Sequence, residues 1–208
     1  MNTHYATTHP DAESSQQLYQ HLVGAITPRP IAWVSTRSAT GVDNIAPYSF
    51  FSVASCQPPV LSVTHVTPRT GEPKDTLKNL LATKECVVNI VTEDLLTAMN
   101  QSCANYPSDI SEFTAVGIDK HTSHSVSVPG VAAAQVRYEC TLREVIELGS
   151  EPGSGQVMLL DVKTIDIDDA LLVDGRIAPE RLPTIGKLGG DAYAHTTRQS
   201  VLSRPVLD

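Results

Sequence analysis

Aromatic residues are scarce in this chain, which has 3 Phe, 6 Tyr and 1 Trp among 208 residues. Long apolar stretches are missing as well, since no apolar run approaches the ~20 residues that a membrane-spanning helix needs. The first twenty residues are polar and lack the charged start and apolar core of a secretory signal. We therefore expect a cytoplasmic protein with no membrane partner.

An excess of positive charge is also absent, because the formal net charge is −8. An acidic chain repels phosphate backbones, so nucleic acid is not an expected partner. An anionic ligand would need a local positive pocket against this field. Apolar residues make up 41% of the chain, which is long enough to bury the core of one domain.

Cysteine is limited to four residues, and no two of them form a Cys-x-x-Cys pair. Disulfide frameworks belong mainly to small secreted chains. We therefore predict free, buried thiols in a reducing cytoplasm at Cys56, Cys86, Cys103 and Cys140.

Motifs of several enzyme classes are absent too. The chain has no Gly-x-Ser-x-Gly elbow, no dinucleotide fingerprint and no Walker loop. His121 and His124 have a spacing that a metal uses on a helix. They lie in HTSHSVSVPG, which is not helical in pattern, and no neighbouring Cys, Asp or Glu completes a ligand set. We predict a solvated loop there and no metal.

Several short strands and a few helices are predicted from the apolar patterns and the turn residues. The strands span residues 31–36, 45–55, 60–66, 86–92, 137–148 and 157–167, and the helices span 11–22, 74–85 and 92–104. GSEPGSG at 149–155 reads as a hairpin loop between the last two strands. Strands at this spacing favour a barrel or a sandwich with peripheral helices.

Lys74, Asp75 and Thr76 stand at the predicted start of the second helix. The free N–H groups and the dipole of a helix start attract anions, and Lys74 and Thr76 add a charge and a hydroxyl donor. The alternative is an ordinary surface helix capped by Asp75.

An unusual serine and aromatic stretch, Tyr48-Ser49-Phe50-Phe51-Ser52, lies inside the predicted strand 45–55. With a period of two, each face of this strand mixes hydroxyl and apolar groups. Pockets of that mixed kind hold flat rings with polar edges. A half-buried strand near a sheet edge is the alternative.

Two further histidines leave alternatives open. His65, in the third predicted strand, is either a core or a rim histidine. His195 follows a glycine-rich loop and either borders a pocket or lies on an ordinary surface.

Four stretches occur in an order that resembles one family. They are PRPIAWVST, then G-x-x-N-x-APYSFFS-x-x-S-x-x-PP, then KDT-x-x-N, and a late GKLGG-x-x-YA. Together they resemble the flavin reductase-like proteins that bind FMN on a split barrel, with the flavoredoxin-like branch as the nearest group. The resemblance covers roughly residues 23–195. We predict an N-terminal helical extension over 1–22, an FMN-binding domain over 23–195 and a C-terminal tail over 196–208.

The resemblance implies a mainly β fold, a six-stranded antiparallel Greek-key split barrel with flanking helices. It also implies a homodimer with FMN near the subunit interface. Lys74 and Thr76 would meet the phosphate, and Lys187 and Tyr193 would border the ring. The ribityl chain and the ring would be lined by Ser35, Thr36, Asn44, Ala46, Pro47, Tyr48 and Ser49, with Ser52 as a further candidate.

Three other positions enter through the resemblance. Trp33 is expected to pack the barrel, and Arg29 is either a phosphate neighbour or an interface salt bridge. Relatives usually carry Arg where this chain has Lys187, so a planar bidentate group becomes a point charge. Relatives also often carry Gly-Glu where this chain has Leu160-Asp161. The substrate therefore stays open.

The implied activity is an NAD(P)H-dependent flavin oxidoreductase. Electrons would pass from NADH or NADPH to FMN and then to free flavin or another small acceptor. The flavin supplies the redox chemistry, so no catalytic acid or base is named. The alternative is a non-enzymatic FMN electron-transfer protein that is reduced by a protein partner.

Overall fold

The computed structural model describes residues 3–205, and strands dominate it. The strands are β1 Arg29–Pro30, β2 Ala32–Arg37, β3 Asp43–Tyr48, β4 Phe51–Cys56, β5 Pro59–Val66, β6 Glu85–Ile90, β7 Lys120–His121, β8 Gly130–Val131, β9 Val136–Glu147, β10 Gly155–Ile167, β11 Leu172–Val173, β12 Arg176–Ile177, β13 Ile185–Lys187 and β14 Tyr193–His195. The helices are α1 Ser15–Ala25, α2 Asp75–Thr83, α3 Leu96–Gln101 and α4 Glu112–Val116. Short 3-10 turns lie at Pro10–Ala12, Glu93–Leu95, Asp169–Leu171 and Pro179–Arg181.

Seven strands form one antiparallel sheet in the order β3-β2-β6-β9-β10-β5-β4. The prediction of a mainly β, antiparallel fold with few helices is confirmed. The sheet has seven strands rather than six, because the predicted strand 45–55 is broken at Ser49-Phe50 into β3 and β4.

This break moves the chain from one edge of the sheet to the other. β3 and β4 are the two outer strands, yet Tyr48 and Phe51 are linked by only two residues and so lie within about 11 Å of each other. At this corner the amide of Thr64 on β5 donates to the carbonyl of Phe50 at 2.8 Å. Within residues 3–205 no strand pairing joins β3 to β4. The two edges therefore meet at one corner without closing, as in a split barrel.

The two faces of the sheet bury different cores. Val34, Val63 and Met158 belong to one cluster, which α2 covers with Leu77 and Leu80. Alternation along β2 places Trp33 in the other cluster, with Phe113 of α4 and Met99 of α3. The expected packing role of Trp33 is thus confirmed, since its side chain is fully buried.

Helix boundaries differ from the predictions where caps decide them. Ser14 and Gln17 form a capping box, so α1 begins at Ser15, after a separate 3-10 turn, and runs past the predicted end to Ala25. The predicted helix 92–104 is a 3-10 turn followed by α3, which ends at Gln101. The helix predicted over 74–85 is present as α2.

All four cysteines are free, but only two are buried. Cys86 and Cys140 lie opposite each other on β6 and β9, and a hydrogen bond with Cys140 together with burial raises the pKa of Cys86. The prediction of buried thiols is wrong for Cys56 and Cys103. Cys56 ends the edge strand β4, and Cys103 follows the last turn of α3.

No helix within residues 3–205 has the length and apolar character that crossing a bilayer would require.

Candidate functional site

A groove runs along β3 and consists of two adjoining cavities of about 170 and about 140 Å³. Pro47 and Cys103 line both cavities, so the two cavities are neighbours. One cavity lies beside the start of α2, and we call it the α2 end. The other lies beside β13 and β14, and we call it the tail end. Together they approach the lower limit of roughly 300–1,000 Å³ that small-molecule sites occupy.

Most of the side chains proposed from the sequence line this groove. The structure brings together Asn44, Ala46, Pro47, Lys74 and Thr76 at the α2 end and Pro47, Tyr48, Ser49, Lys187 and Tyr193 at the tail end. The helix start and the serine and aromatic stretch are therefore parts of one concave surface.

Three proposed side chains do not line the groove. Ser35 is fully buried, and its hydroxyl donates to the carbonyl of Pro129 at 2.6 Å on the opposite face of β2. Ser52 is exposed on β4 and lines neither cavity, because the break at Ser49-Phe50 carries it to the other edge. Thr36 is fully buried behind Asn44 and contacts it at 3.3 Å.

The α2 end combines a helix start with an uncommitted cation. The first N–H groups of a helix have no intrahelical partner, so those of Asp75 and Thr76 are available. Lys74, rather than Asp75, occupies the cap position and makes no capping bond. Within the described chain Lys74 forms no ion pair, whereas Asp75 lies 3.5 Å from Lys78. This end can therefore attract an anion.

Glu112, which the sequence reading missed, fixes the polar groups of the α2 end. Its carboxylate is 6% exposed and accepts bonds from the Asn44 amide at 2.8 Å and the Ile45 backbone N–H at 3.0 Å. The oxygen of the Asn44 amide in turn accepts from the Thr76 hydroxyl at 3.0 Å. Burial raises the pKa of Glu112 against the lowering effect of these bonds. The network fixes the orientation of Asn44.

Tyr48 lines the tail end, and its hydroxyl is buried on the side of Thr76. Its side chain is 7% exposed, and its Oη has no hydrogen-bond partner in the described chain. Burial raises the pKa of Tyr48 to about 12, so the phenol keeps its proton at neutral pH. The hydroxyl is hidden from solvent, and its side-chain contact with Thr76 opposes this rise in pKa.

Within the described residues Arg29 does not line the α2 end, where a phosphate neighbour was expected, and the interface salt bridge stays a prediction. Arg29 is 6% exposed, forms no ion pair within residues 3–205, and donates to the carbonyls of Val23 at 2.6 Å, Ile26 at 3.0 Å and Leu188 at 3.1 Å. Its Nε donates to the Ser49 hydroxyl at 3.3 Å. Arg29 thus links the end of α1, Leu188 after β13 and Ser49 in the groove.

Lys187 and Tyr193 form the wall of the tail end. The Lys187 ammonium lies 4.5 Å from the centre of the Tyr193 ring and donates to the carbonyls of Gly190 and Ala192. The Tyr193 hydroxyl donates to the Asn100 side chain at 3.2 Å. Burial lowers the pKa of Lys187. These contacts place a cation and an aromatic ring next to each other.

A close backbone approach docks this wall on the rest of the molecule. β13 pairs with β1, and a Cβ added at Gly186 would lie 2.5 Å from the Cβ of Pro28. Only glycine leaves room for that approach.

The loop after α3 is a second feature that sequence reasoning missed. Residues 102–106 line the α2 end, and Ser102 is held by the indole N–H of Trp33 at 2.9 Å. Cys103 is exposed as a residue, but partial desolvation of its thiol raises the pKa of this group, which lines both cavities. The only signal in the sequence was a loop with apolar and polar groups intermixed, a common setting for functional residues.

The two remaining histidines do not line the groove. His65 is a core histidine, 1% exposed, with its ring centre 6.3 Å from that of Tyr48. Burial foremost, and the charge of Lys74 next, lower the pKa of His65. His195 lies on the surface with Nδ1 3.0 Å from a Glu93 carboxylate oxygen.

The departures noted at Leu160-Asp161 lie away from the groove. Leu160 is fully buried in the sheet core, and Asp161 contacts Arg143 at 2.7 Å on the surface.

Comparison with known proteins agrees with this geometry. Residues 24–178 match the family described as flavin reductase like domain, and the chain belongs to that family. This match supports a flavin-related oxidoreductase function.

Several solved structures are similar to this chain over most of its length. Nitrilotriacetate monooxygenase component B from Bacillus cereus is 34% identical, with a TM-score of 0.91 over 97% of this chain and 100% of that one. The 2-nitrobenzoate 2-nitroreductase NbaA of Pseudomonas fluorescens is 29% identical, with a TM-score of 0.86 over 98% and 96%. Flavoredoxin of Desulfovibrio vulgaris, 16% identical with a TM-score of 0.72 over 86% and 91%, shares the fold.

Proposed function

We propose that this chain binds FMN in the groove and passes electrons from NADH or NADPH to flavin or another small acceptor. The observation that carries the proposal is the pairing, in one groove, of an anion site at the α2 end with a ring-sized, polar-edged tail end. Bound FMN would supply the redox chemistry, and the chain would supply binding and electrostatics.

Lys74 and Thr76 are the residues proposed to hold the phosphate. Two acids share this end, but neither cancels the charge of Lys74. Glu112 accepts bonds from Asn44 and Ile45, and Asp75 lies beside Lys78. A phosphate would then meet the Lys74 ammonium and the first free N–H groups of α2.

The tail end is proposed to hold the ring. Ser49 is positioned by Arg29, and Lys187 stands over Tyr193. A cation near a ring edge stabilises negative charge that develops there on reduction. Lys187 lines the tail end and is the residue proposed to stabilise this charge.

A homodimer is part of the proposal, since the edge strand β4 is exposed along most of its length and carries Val53 at 63% exposure. Tyr19 stacks on Phe50 at 6.5 Å beside it, which extends the apolar surface. Edge strands of this kind are usually covered. Sedimentation equilibrium distinguishes a dimer from a monomer, and a purely monomeric protein would refute this part.

The first experiment is the visible spectrum of the desalted protein after incubation with FMN, followed by anaerobic addition of NADH or NADPH. A yellow protein that bleaches supports the proposal. A yellow protein that keeps its colour would indicate the alternative, an electron carrier reduced by a protein partner. A protein that takes up no flavin would refute the assignment of the groove.

Titration of Lys74→Ala tests the phosphate end. We expect FMN affinity to fall about tenfold, close to 1.4 kcal/mol, because a charge-assisted contact is lost at an exposed site. Riboflavin, which lacks the phosphate, should bind the variant and the wild type equally. Lys163→Ala, an exposed lysine on β10 that lines neither cavity, is the matched control. Equal loss for FMN and riboflavin would contradict the assignment.

A further inference from the structure

Three side chains with metal-binding atoms meet outside the groove. His121 lies on β7, His124 in the loop that follows, and Asp166 near the end of β10. The Nε2 atom of His121 lies 3.6 Å from Oδ2 of Asp166, and the Nε2 atom of His124 lies 3.7 Å from Oδ1. One ligand atom from each residue lies within 4.8 Å of the other two. The predicted loop is present, but a carboxylate from a distant strand completes the ligand set that the local sequence does not show.

These separations approach those of a zinc site. Tetrahedral Zn²⁺ binds nitrogen and oxygen at about 2.0–2.2 Å, which places its ligands about 3.4 Å apart. Both histidine-to-aspartate distances are already close to that value. The side chain of His124 is 67% exposed, so its imidazole has room to rotate and adjust its distance from that of His121.

The loop that presents His124 is held in place by a buried acid. The Glu139 carboxylate, 1% exposed, accepts from the backbone N–H of His124 at 2.8 Å and of Ser125 at 2.5 Å. The Ser125 hydroxyl also lies 2.5 Å from that of Thr164 on β10. A ligand set on a fixed backbone loses less entropy when it binds a metal.

Two of the proposed ligand atoms are buried without a hydrogen-bond partner. The Nε2 atom of His121 and the Oδ2 atom of Asp166 are hidden from solvent, and neither has a hydrogen bond in the described chain. Unsatisfied buried polar atoms are rare and indicate a missing ligand, water or ion.

Arg137 is the group that opposes a cation here. Its Nε atom lies 3.5 Å from Oδ2 of Asp166, while its Nη1 donates to the carbonyl of Ala134 at 2.7 Å. The guanidinium balances Asp166 when no metal is present and weakens metal binding when one is. An affinity below that of closed structural zinc sites follows.

We propose that His121, His124 and Asp166 bind Zn²⁺, with water in the fourth position. Two imidazoles favour zinc over Mg²⁺ or Ca²⁺, which prefer sets of oxygen ligands. The metal ties the loop after β7 to β10 and stabilises the fold. The site is independent of the flavin assignment, since none of its residues lines the groove.

The test is calorimetric titration of the full chain, freed of any affinity tag, with Zn²⁺ and separately with Mg²⁺. We expect one Zn²⁺ per chain, no Mg²⁺ binding, and a Tm that rises with zinc and returns with a chelator. His124→Asn and Asp166→Asn should weaken zinc binding at least about tenfold. His21→Asn, an exposed histidine on α1, should leave it unchanged.

His124→Asn keeps the test interpretable, because the His124 side chain makes no hydrogen bond within residues 3–205 and its loss should not unfold the chain. The zinc-free Tm and the circular dichroism spectrum check this for both variants. No saturable zinc binding in the wild type would overturn the proposal. Wild-type zinc affinity in the folded His124→Asn and Asp166→Asn variants would do so as well.

Discussion

The two ends of the groove are held in place in different ways. At the α2 end, a buried carboxylate on Glu112 fixes Asn44 and the backbone of β3 together. At the tail end, Arg29 joins backbone carbonyls, and short strands, β13 and β14, complete the wall. The α2 end therefore shares its bonds with the global fold. The tail end depends on a docked segment, which can open locally without global unfolding.

The largest expected effect is at the α2 end. Glu112→Ala leaves the Asn44 amide and the Ile45 N–H without their acceptor, at about 1–3 kcal/mol for each buried donor. We expect the free energy of unfolding, measured in urea, to fall by about 2–5 kcal/mol. Glu112→Gln keeps one acceptor oxygen and should lose less. Glu151→Ala, in an exposed loop, should change it by no more than about 0.5 kcal/mol. Equal losses at positions 112 and 151 would mean that Glu112 does not hold this end.

A smaller effect on stability, but a larger local one, is expected from Arg29→Met. The variant keeps the length of the side chain and removes its donors to Val23, Ile26 and Leu188. Amide hydrogen exchange over residues 185–195 should accelerate at least about tenfold, while global stability falls less than in Glu112→Ala.

Arg29→Lys is the control for this experiment, because it restores the charge but not the fork of donors. We expect an intermediate exchange rate. If exchange in the tail stays at the wild-type rate in Arg29→Met, the tail end is held by other contacts and the contrast between the two ends disappears.

The smallest expected effects are on the pH dependence of stability. The contributions of two buried acids, Asp43 and Glu112, should change in opposite directions as the pH rises. Burial raises the pKa of Asp43, but hydrogen bonds and charges from Arg37 and Lys120 outweigh it, so the net shift is downward. Its stabilising contribution is present above the unfolded-state pKa of about 3.9 and is lost as the pH falls through the folded value. The pKa of Glu112 is raised, so its contribution is largest below about 4.3 and is lost as the pH rises through its folded value.

Tm measured between about pH 3 and 7 separates the two acids. Asp43→Asn should flatten the decline in Tm toward acid, and Glu112→Gln should flatten the decline from about pH 4 upward. Each variant is the control for the other. A steeper acid decline in Asp43→Asn would show that its ion pairs with Arg37 and Lys120 do not stabilise the fold.

Local patterns predicted the central strands and α2 well, because their apolar residues and flanking turn residues agree with their environment. The break at Ser49-Phe50 was not predicted, since alternation continues through it. Only the curvature of the whole sheet turns the chain there. On α2, Leu77 and Leu80 are buried against the sheet, whereas Leu81 is 49% exposed.

In the candidate site, too, local sequence patterns predict only those features that do not depend on distant parts of the chain. Residues of β3 and the start of α2 were found because each carries its signal locally. The Ser35 side chain lies away from the groove because of the pairing register: Ser35 lies opposite Ile45, whereas Thr36 lies opposite Asn44. Glu112 and Asp166 were missed because packing across long sequence separations brings them to their partners, which local sequence cannot show.

The short link at Ser49-Phe50 also determines how much conformational entropy the chain loses when the two edges of the sheet meet. Joining the two edges of the sheet closes almost no loop, so this corner forms at little entropic cost. More entropy is lost when the hairpin of β9 and β10 docks on β5 and β6, because these contacts join residues far apart in the sequence. Gly155, for example, pairs with Val66. Folding is thus expected to be limited by the docking of that distant hairpin, while the split in the barrel is settled early and locally.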